Sequence, residues 1–209
     1  MDRKGILLVG SGFSGAGKGT LMKELVSRYD NYALSISATT RSPREGEVDG
    51  REYFFRTKEE FEQMIADEAL IEHACYVGNY YGTPRAYVEE QLALGRDVIL
   101  EIEIQGALQI KKRFPDTLLL FVSTPDAETL KNRLIGRGTE SLDVVEKRLS
   151  RASEEAEGIE NYDYFIINDD LDTCVTQVHQ IIQGEHSRVS RNLELINTIK
   201  KDISKFQKG

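Results

Sequence analysis

The chain has 209 residues, of which 40% are hydrophobic and 30% are charged, and its formal net charge is −8. This length and apolar content fit one domain with a sizeable core, whereas the acidic balance argues against general nucleic-acid binding, which needs clustered lysines and arginines. The apolar runs are too short for a signal peptide or a membrane span, so we expect a cytoplasmic protein that binds no membrane. Cys75 and Cys174 have no metal-ligand spacing, which favours two reduced thiols.

Short runs rich in Ile, Leu and Val alternate with amphipathic segments, a pattern typical of strands buried on both faces of a parallel sheet. The predicted strands are Ile6–Val9, Ala33–Ser37, Val98–Ile104, Leu118–Val122 and Phe165–Ile167. The predicted helices are Leu21–Arg28, Lys58–Ala69, Tyr87–Leu94, Ala107–Arg113, Ala127–Leu134, Leu142–Ala156, Thr173–Gln183 and Arg191–Phe206. This order predicts an α/β three-layer fold with a parallel central sheet.

Two charged segments interrupt the alternation and are predicted to be insertions on the core sheet. Residues 38–86 contain "REYFFR", which we interpret as a short antiparallel strand, and residues 125–150 hold several arginines around a glycine pair. The last segment differs, because Leu193, Ile196, Ile199 and Ile203 recur at helical spacing. That spacing predicts a helix packed on the domain.

The stretch "SGFSGAGKGT", residues 11–20, has the spacing Gly12-x-x-x-x-Gly17-Lys18 between a predicted strand and a predicted helix. This is the P-loop spacing, in which backbone N–H groups and a helix N-terminus surround phosphates and a lysine reaches the β- and γ-phosphates. Gly19 stands where Ser or Thr commonly ligates Mg²⁺. We therefore expect the metal to be held through nucleotide phosphates and water, with no protein ligand.

A second cluster of phosphate-binding side chains follows the P-loop. Arg41 and Arg44 lie three residues apart, near the hydroxyl of Ser37 and the phenols of Tyr53 and Tyr81. Guanidinium forks and phenol donors suit a phosphate monoester dianion. The pattern predicts a second phosphate site, suited to a phosphate monoester.

The chain resembles the guanylate kinase family through an ordered set of motifs over roughly residues 5 to 172. They are "SGFSGAGKGT", "SISATTRSPREGEVDGREYFF", "LIEHACYVGNYYGTPR", "VILEIEIQGA", "GRGTES", "KRLSRA" and "YDYFIINDDLD". The resemblance implies transfer of the γ-phosphate of ATP to GMP, or to dGMP, with Mg²⁺ as the cofactor of ATP. It also implies one domain over residues 1–209, with a core (about 1–36, 91–124 and 151–209), a GMP-binding insertion (about 37–90) and a lid (about 125–150). It leaves a homo-oligomer possible.

The resemblance assigns roles by matching position. ATP would bind at Gly12, Phe13, Ser14, Gly15, Ala16, Gly17, Lys18, Gly19 and Thr20. The GMP site would comprise Ser37, Arg41, Arg44, Glu47, Tyr53, Glu72, Tyr81, Thr83 and Glu103. Lys18, Arg137 and Arg148 would surround the transferring phosphoryl group, with Arg133 and Asn168 nearby. Phe13 replaces the family's usual Pro, and Glu103 replaces its usual Asp.

The sequence also indicates which nucleobase the acceptor carries. Guanine presents N1–H and a 2-amino group side by side, and a carboxylate such as Glu72 accepts from both, with Ser37 and Thr83 as donors to O6. Glu101 and Glu103 lie at the end of the predicted strand Val98–Ile104, and we interpret them as carboxylates that orient magnesium-bound water or a base. Two alternatives stay open: a kinase of another monophosphate, and a non-catalytic domain that binds protein partners. An assay of ADP release with five monophosphates separates them.

Overall fold

The computed structural model describes residues 4–76, 78–136 and 142–207. Its strands are β1 (Leu7–Gly12), β2 (Tyr32–Leu34), β3 (Ala38–Thr39), β4 (Phe54–Phe55), β5 (Leu70–Tyr76), β6 (Asn79–Pro84), β7 (Asp97–Glu101), β8 (Leu118–Ser123) and β9 (Tyr164–Ile167). Its helices are α1 (Lys18–Arg28), α2 (Lys58–Ala66), α3 (Arg85–Ala93), α4 (Ile104–Arg113), α5 (Ala127–Gly136), α6 (Leu142–Ala156), α7 (Leu171–His186) and α8 (Leu193–Ser204). Each predicted core strand and helix has a counterpart; α6 has the predicted bounds, and the bounds of the others are shifted.

The central sheet has the strand order β2-β7-β1-β8-β9, and all of its pairings are parallel. In β1, Leu8 pairs with Ile99 of β7 on one side and with Leu118 of β8 on the other. All three side chains are buried, as expected for strands covered on both faces. The parallel sheet is therefore confirmed.

Helices cover both faces of this sheet and complete the three layers. On one face, α1 and α7 contribute the buried side chains of Leu21, Leu25 and Val178. On the other face, α3 and α4 contribute Val88 and Ile110. Removing this apolar surface from water is the main contribution to the stability of the fold.

A second sheet, with the order β4-β3-β6-β5, lies in the predicted GMP-binding insertion. The antiparallel interpretation of "REYFFR" is wrong, because β4 pairs parallel to β3. Phe54 N donates to Ser37 O at 2.9 Å, and Arg56 N donates to Thr39 O at 2.8 Å. The parallel pairing is possible because residues 40–53 return the chain to the start of β3. The antiparallel hairpin of β5 and β6 was not predicted.

The C-terminal helix α8 does not pack on the domain, so that prediction is wrong. The exposed fractions of Leu193, Ile203 and Phe206 are 52%, 56% and 86%, and no residue of α8 is buried. Within the described ranges, no helix has both the length and the apolar character needed to cross a membrane.

Asp97, the first residue of β7, is fully buried and connects three parts of the chain. Its Oδ1 accepts from Ile6 N at 2.8 Å and lies 2.8 Å from His186 Nε2, and its Oδ2 accepts from Asn31 Nδ2 at 3.2 Å. These contacts satisfy a carboxylate that burial would otherwise destabilise. They hold the entry to β1 against the end of α7.

Candidate active site

A cavity of about 790 Å³ opens where β1 and β7 end, between the two sheets. Ligand sites of parallel α/β sheets lie at the carboxyl ends of the strands. The residues that line it include Gly12, Phe13, Ser14, Gly15, Gly17, Lys18, Gly19, Thr20, Ser37, Tyr53, Glu72, Tyr81, Glu101, Glu103, Arg148, Arg151 and Glu155. The cavity therefore brings together most of the predicted P-loop and part of the predicted monophosphate site.

The P-loop conformation depends on Gly17, the residue before α1. Its φ of 84° is left-handed, and a Cβ there would lie 2.6 Å from Asn168 Nδ2. That Nδ2 donates to Ala16 O at 2.8 Å, so the buried Asn168 amide holds the loop backbone. Asn168 was expected near the nucleotides, and the structure places it behind the loop. The helix begins at Lys18, three residues before its predicted start.

Lys18 is a half-buried ammonium group at the base of the cavity. Burial lowers its pKa, while the negative charges of Glu101 and Glu155 oppose that shift. Desolvation is the larger effect, so nearby protein groups do not fully replace the lost water. An anion that enters the loop would supply the missing partner.

Two predicted arginines reach the P-loop from the following helices. Arg148 Nη1 of α6 donates to Ser14 Oγ at 2.8 Å, and Arg133 Nη1 of α5 to Ala16 O at 3.4 Å. Arg148 lines the cavity. Arg137 lies outside the described residues.

Phe13 stands at the position where the family usually has Pro. Its ring packs edge-to-face on Phe121 of β8, with 4.9 Å between the ring centroids. This contact anchors the loop to the buried sheet. The departure from the family pattern therefore has a packing role.

The predicted phosphate site contains an aromatic pair with one arginine. Tyr53 and Tyr81 lie edge-to-face with centroids 6.0 Å apart, and Arg41 Cζ lies 5.2 Å from the Tyr53 centroid. Both Arg41 terminal nitrogens donate to Glu47 at 2.9 Å. The Glu47 carboxylate raises the pKa of Arg41, and the Arg41 guanidinium lowers the pKa of Glu47. Arg41 is thus a preoriented cation beside the phenols.

Arg44 differs from Arg41 in its placement. Its backbone N donates to Glu47 Oε2 at 2.7 Å, but its side chain is exposed. Neither arginine is among the residues that line the cavity. In this structure Arg41, and not Arg44, contacts the tyrosine pair.

The end of the cavity that would hold the nucleobase is built on the β5–β6 hairpin. Glu72 lies in β5 and is only 7% exposed, so it is a buried carboxylate and not a solvated surface charge. Thr83 Oγ1 donates to Glu72 Oε1 at 2.7 Å. Burial raises the pKa of Glu72; the Thr83 hydrogen bond opposes this shift, and the charge of Glu103 adds to it. Thr83 has one hydroxyl proton, which is already used in this hydrogen bond. Ser37 also lines the cavity, so its hydroxyl is the one that can donate to O6 of the base.

Glu103 and Arg151 form an ion pair that sequence reasoning missed. Arg151 Nη2 lies 2.7 Å from Glu103 Oε2, and Arg151 Nε lies 3.1 Å from Glu155 Oε1. Glu103 was interpreted as the end of a strand, but β7 ends at Glu101 and Glu103 is the N-cap of α4. The signal for Arg151 was its spacing of three from Arg148, which places both on one helix face.

Family, sequence and structure comparisons each match guanylate kinases. The family model described as "Guanylate kinase" matches residues 2–185. A guanylate kinase of Bacillus cereus is 53% identical over 191 residues, which are 91% of this chain and 93% of the relative. One of Streptococcus agalactiae is 48% identical over 206 residues, which are 98% of this chain and 99% of the relative. The crystal structure of guanylate kinase from Anaplasma phagocytophilum matches with a TM-score of 0.73 at 30% identity, covering 90% of this chain and 89% of that one.

Proposed function

This chain belongs to the guanylate kinase family, and we infer from its membership and its cavity that it is an ATP-dependent nucleoside monophosphate kinase that phosphorylates GMP to GDP. One observation carries the residue assignments. A single cavity is lined by the P-loop and by Ser37, Tyr53, Glu72 and Tyr81. A donor phosphate and an acceptor monophosphate would therefore share one enclosed space, as direct transfer requires.

The P-loop would hold the phosphates of ATP. Backbone N–H groups and the N-terminus of α1 face anionic oxygens, and Lys18 neutralises charge on the γ-phosphate during transfer. Arg148, already at the loop through Ser14, would add positive charge to the transferring group. Arg137 is proposed to act with it.

The residues beside Lys18 fit a magnesium ion that arrives with ATP. A Cβ on Gly19 would lie 3.4 Å from Glu101 Oε2, so the Glu101 carboxylate stands next to the part of the loop that lacks a side chain. Glu101 and Thr20, which both line the cavity, would accept hydrogen bonds from the water ligands of the ion. When bound, Mg²⁺ would reduce the negative charge of the ATP phosphates during transfer.

The acceptor would bind between the two sheets. Its phosphate would meet Tyr53, Tyr81 and Arg41, with Glu47 orienting Arg41 and Arg44 approaching from the exposed side. Its base would meet Glu72 and Ser37, with Thr83 fixing the Glu72 carboxylate. The 2-amino group and N1–H of guanine match a carboxylate, and adenine lacks that pair, so the site favours GMP or dGMP over AMP.

The proposed organisation is one domain with two appended parts. The insertion of about residues 37–90 contains the second sheet, and the segment of about residues 125–150 would close over ATP as a lid. Closure would exclude water from the phosphoryl group. A homo-oligomer is compatible with this organisation.

A coupled assay of ADP release tests the proposal directly. The purified chain is mixed with ATP, Mg²⁺ and one of GMP, dGMP, AMP, CMP, UMP or dTMP. We expect turnover with GMP and dGMP at a kcat/KM at least about a hundredfold above that with AMP. Equal turnover with AMP would contradict the base assignment, and no turnover with any acceptor would indicate a domain that binds partners.

A further inference from the structure

Helix α6 spans both ends of the cavity through three side chains on one face. Arg148, Arg151 and Glu155 are three and four residues apart, the spacing that aligns side chains along a helix. Arg148 contacts the P-loop at Ser14, whereas Arg151 contacts Glu103 at the start of α4. The same helix therefore contacts the donor site and the acceptor site.

Glu103 occupies an N-cap position but does not cap its helix. N-cap side chains normally accept from the backbone of the first turn, and Glu103 makes no such bond. Its Oε2 instead accepts from Arg151 at 2.7 Å. In the described part of the chain, no hydrogen bond reaches its other oxygen, Oε1.

The two carboxylates of the base site flank the same helix start. Glu72 Oε2 lies 3.5 Å from where a Cβ on Gly106 would be, which places it against the first turn of α4. Glu103 precedes that turn, and its charge acts on Glu72. Arg151 supplies a positive charge to Glu103 and, through its Nε, to Glu155.

The exposure of the ion pair indicates that it is not there for stability. The Arg151 and Glu103 side chains are 36% and 33% exposed. Ion pairs this exposed contribute little to folding. Arg151 donates from Nε to Glu155 and from Nη2 to Glu103, so the guanidinium is fixed by one carboxylate while it orients the other, which matters for recognising a ligand.

We propose that Arg151 is a positioning residue that holds the Glu103 carboxylate toward the exocyclic 2-amino group of the acceptor base. This inference rests on the proposed GMP site. The 2-amino group has two hydrogens: Glu72 accepts one together with N1–H, and Glu103 Oε1 accepts the other. The Glu103 side chain lines the cavity while its Oε2 is held by Arg151.

The test compares GMP with inosine monophosphate, which keeps N1–H and lacks the 2-amino group. Arg151→Met keeps the length of the side chain and removes its charge, and Lys147→Met changes an exposed residue of the same helix as the matched control. We expect Arg151→Met to lower kcat/KM for GMP about tenfold, mainly through KM, and to leave the values for inosine monophosphate and the KM for ATP nearly unchanged. Lys147→Met should match the parent.

A double-mutant comparison separates positioning from a general effect. If Arg151 acts through Glu103, then Arg151→Met in a Glu103→Gln background should cost little more than Glu103→Gln alone. Additive losses, or an unchanged ratio of GMP to inosine monophosphate in Arg151→Met, would overturn the inference while leaving the proposed function intact. A parent chain without GMP phosphorylation would overturn the proposed function, and this inference with it.

Discussion

Thr83 Oγ1 donates a hydrogen bond of 2.7 Å to Glu72 Oε1, and both side chains are buried. The bond joins the two strands of the β5–β6 hairpin at the base end of the cavity. Glu72 Oε2 is left to face the start of α4. The hydroxyl and the backbone N–H of Thr83 only partly offset the burial of this carboxylate, which raises its pKa, so this relationship links ligand binding to stability.

We expect Glu72→Gln to stabilise the ligand-free protein and to weaken GMP binding. The raised pKa of Glu72 means that the folded state binds its proton more tightly than the unfolded state does. Stability from this group is therefore full below the ordinary pKa of 4.5 and is lost as the pH rises through the raised value. Gln, which is always neutral, should raise the melting temperature at pH 7 by a few degrees, at about 2–4 °C per kcal/mol.

Thermal unfolding from pH 4 to pH 8 checks this expectation. The difference between variant and parent should shrink toward zero in acid, while the exposed Glu90→Gln should show no such dependence. In the same preparation, KM for GMP should rise at least tenfold, with KM for ATP nearly constant. A variant that is less stable than the parent at pH 7 would show that the carboxylate is well compensated by the fold.

Lys18→Met should separate catalysis from stability at the P-loop. The lowered pKa of Lys18 means that the folded state holds this proton less tightly, so at neutral pH the charge reduces stability. Removing it should leave the free energy of unfolding unchanged or higher. Loss of this electrostatic group should lower kcat by about 10²–10³.

The measurement is coupled ADP release at saturating ATP and GMP, with denaturant unfolding alongside. Lys58→Met, on an exposed lysine of α2, is the matched control and should keep full turnover. Near-parental kcat in Lys18→Met would remove Lys18 from the phosphoryl site.

Arg41→Lys should show that geometry, and not charge alone, holds the acceptor phosphate. Lysine keeps the positive charge but cannot donate to both Glu47 oxygens while it lies over the Tyr53 ring. We expect KM for GMP to rise about tenfold with KM for ATP unchanged, which corresponds to about 1.4 kcal/mol of binding. Arg51→Lys, an exposed change in the same segment, is the control. Equal KM values in both variants would argue against the Arg41 assignment.

Gly17→Ala should distort the P-loop for two physical reasons. Alanine is strained at a φ of 84°, and its Cβ would lie 2.6 Å from Asn168 Nδ2. The strain alone costs about 1–2 kcal/mol. Gly184→Ala is the matched control, because that glycine lies in α7 with no atom within 4 Å of the added Cβ, and it should gain about 0.5–1 kcal/mol. Denaturant unfolding and KM for ATP distinguish the two.

The parallel core could be predicted from sequence because its signal is one of composition. The run from Leu118 to Val122 is apolar at every position, which fits a strand buried on both faces, and β8 is buried throughout. The P-loop was equally clear, because its spacing follows from what phosphates require. Its helix began earlier than predicted because Lys18, a polar residue, opens it.

The base site was harder to predict because its signal depends on contacts distant in sequence. In the β5–β6 hairpin, Glu72 and Thr83 are buried polar residues, so the alternation expected of a strand is missing. Arg151 has the local pattern of a solvated helix surface, and only the fold brings Glu103 to it. The surroundings of α8 were also hard to predict from sequence. Helical periodicity predicts an apolar face on this helix but does not show what covers that face.

The contacts of Asp97 bring two parts of the chain that are distant in sequence close together. One carboxylate oxygen lies within 2.8 Å of both Ile6 N and His186 Nε2, so the two ends of the family-matched region, residues 2–185, meet in space. Adjacent ends make circular permutation possible. A short linker from residue 186 to residue 6, with new termini at the exposed turn of Pro115 and Asp116, would preserve every strand neighbour of the central sheet. The order of the secondary-structure elements along the chain can therefore change without changing the fold that surrounds the cavity.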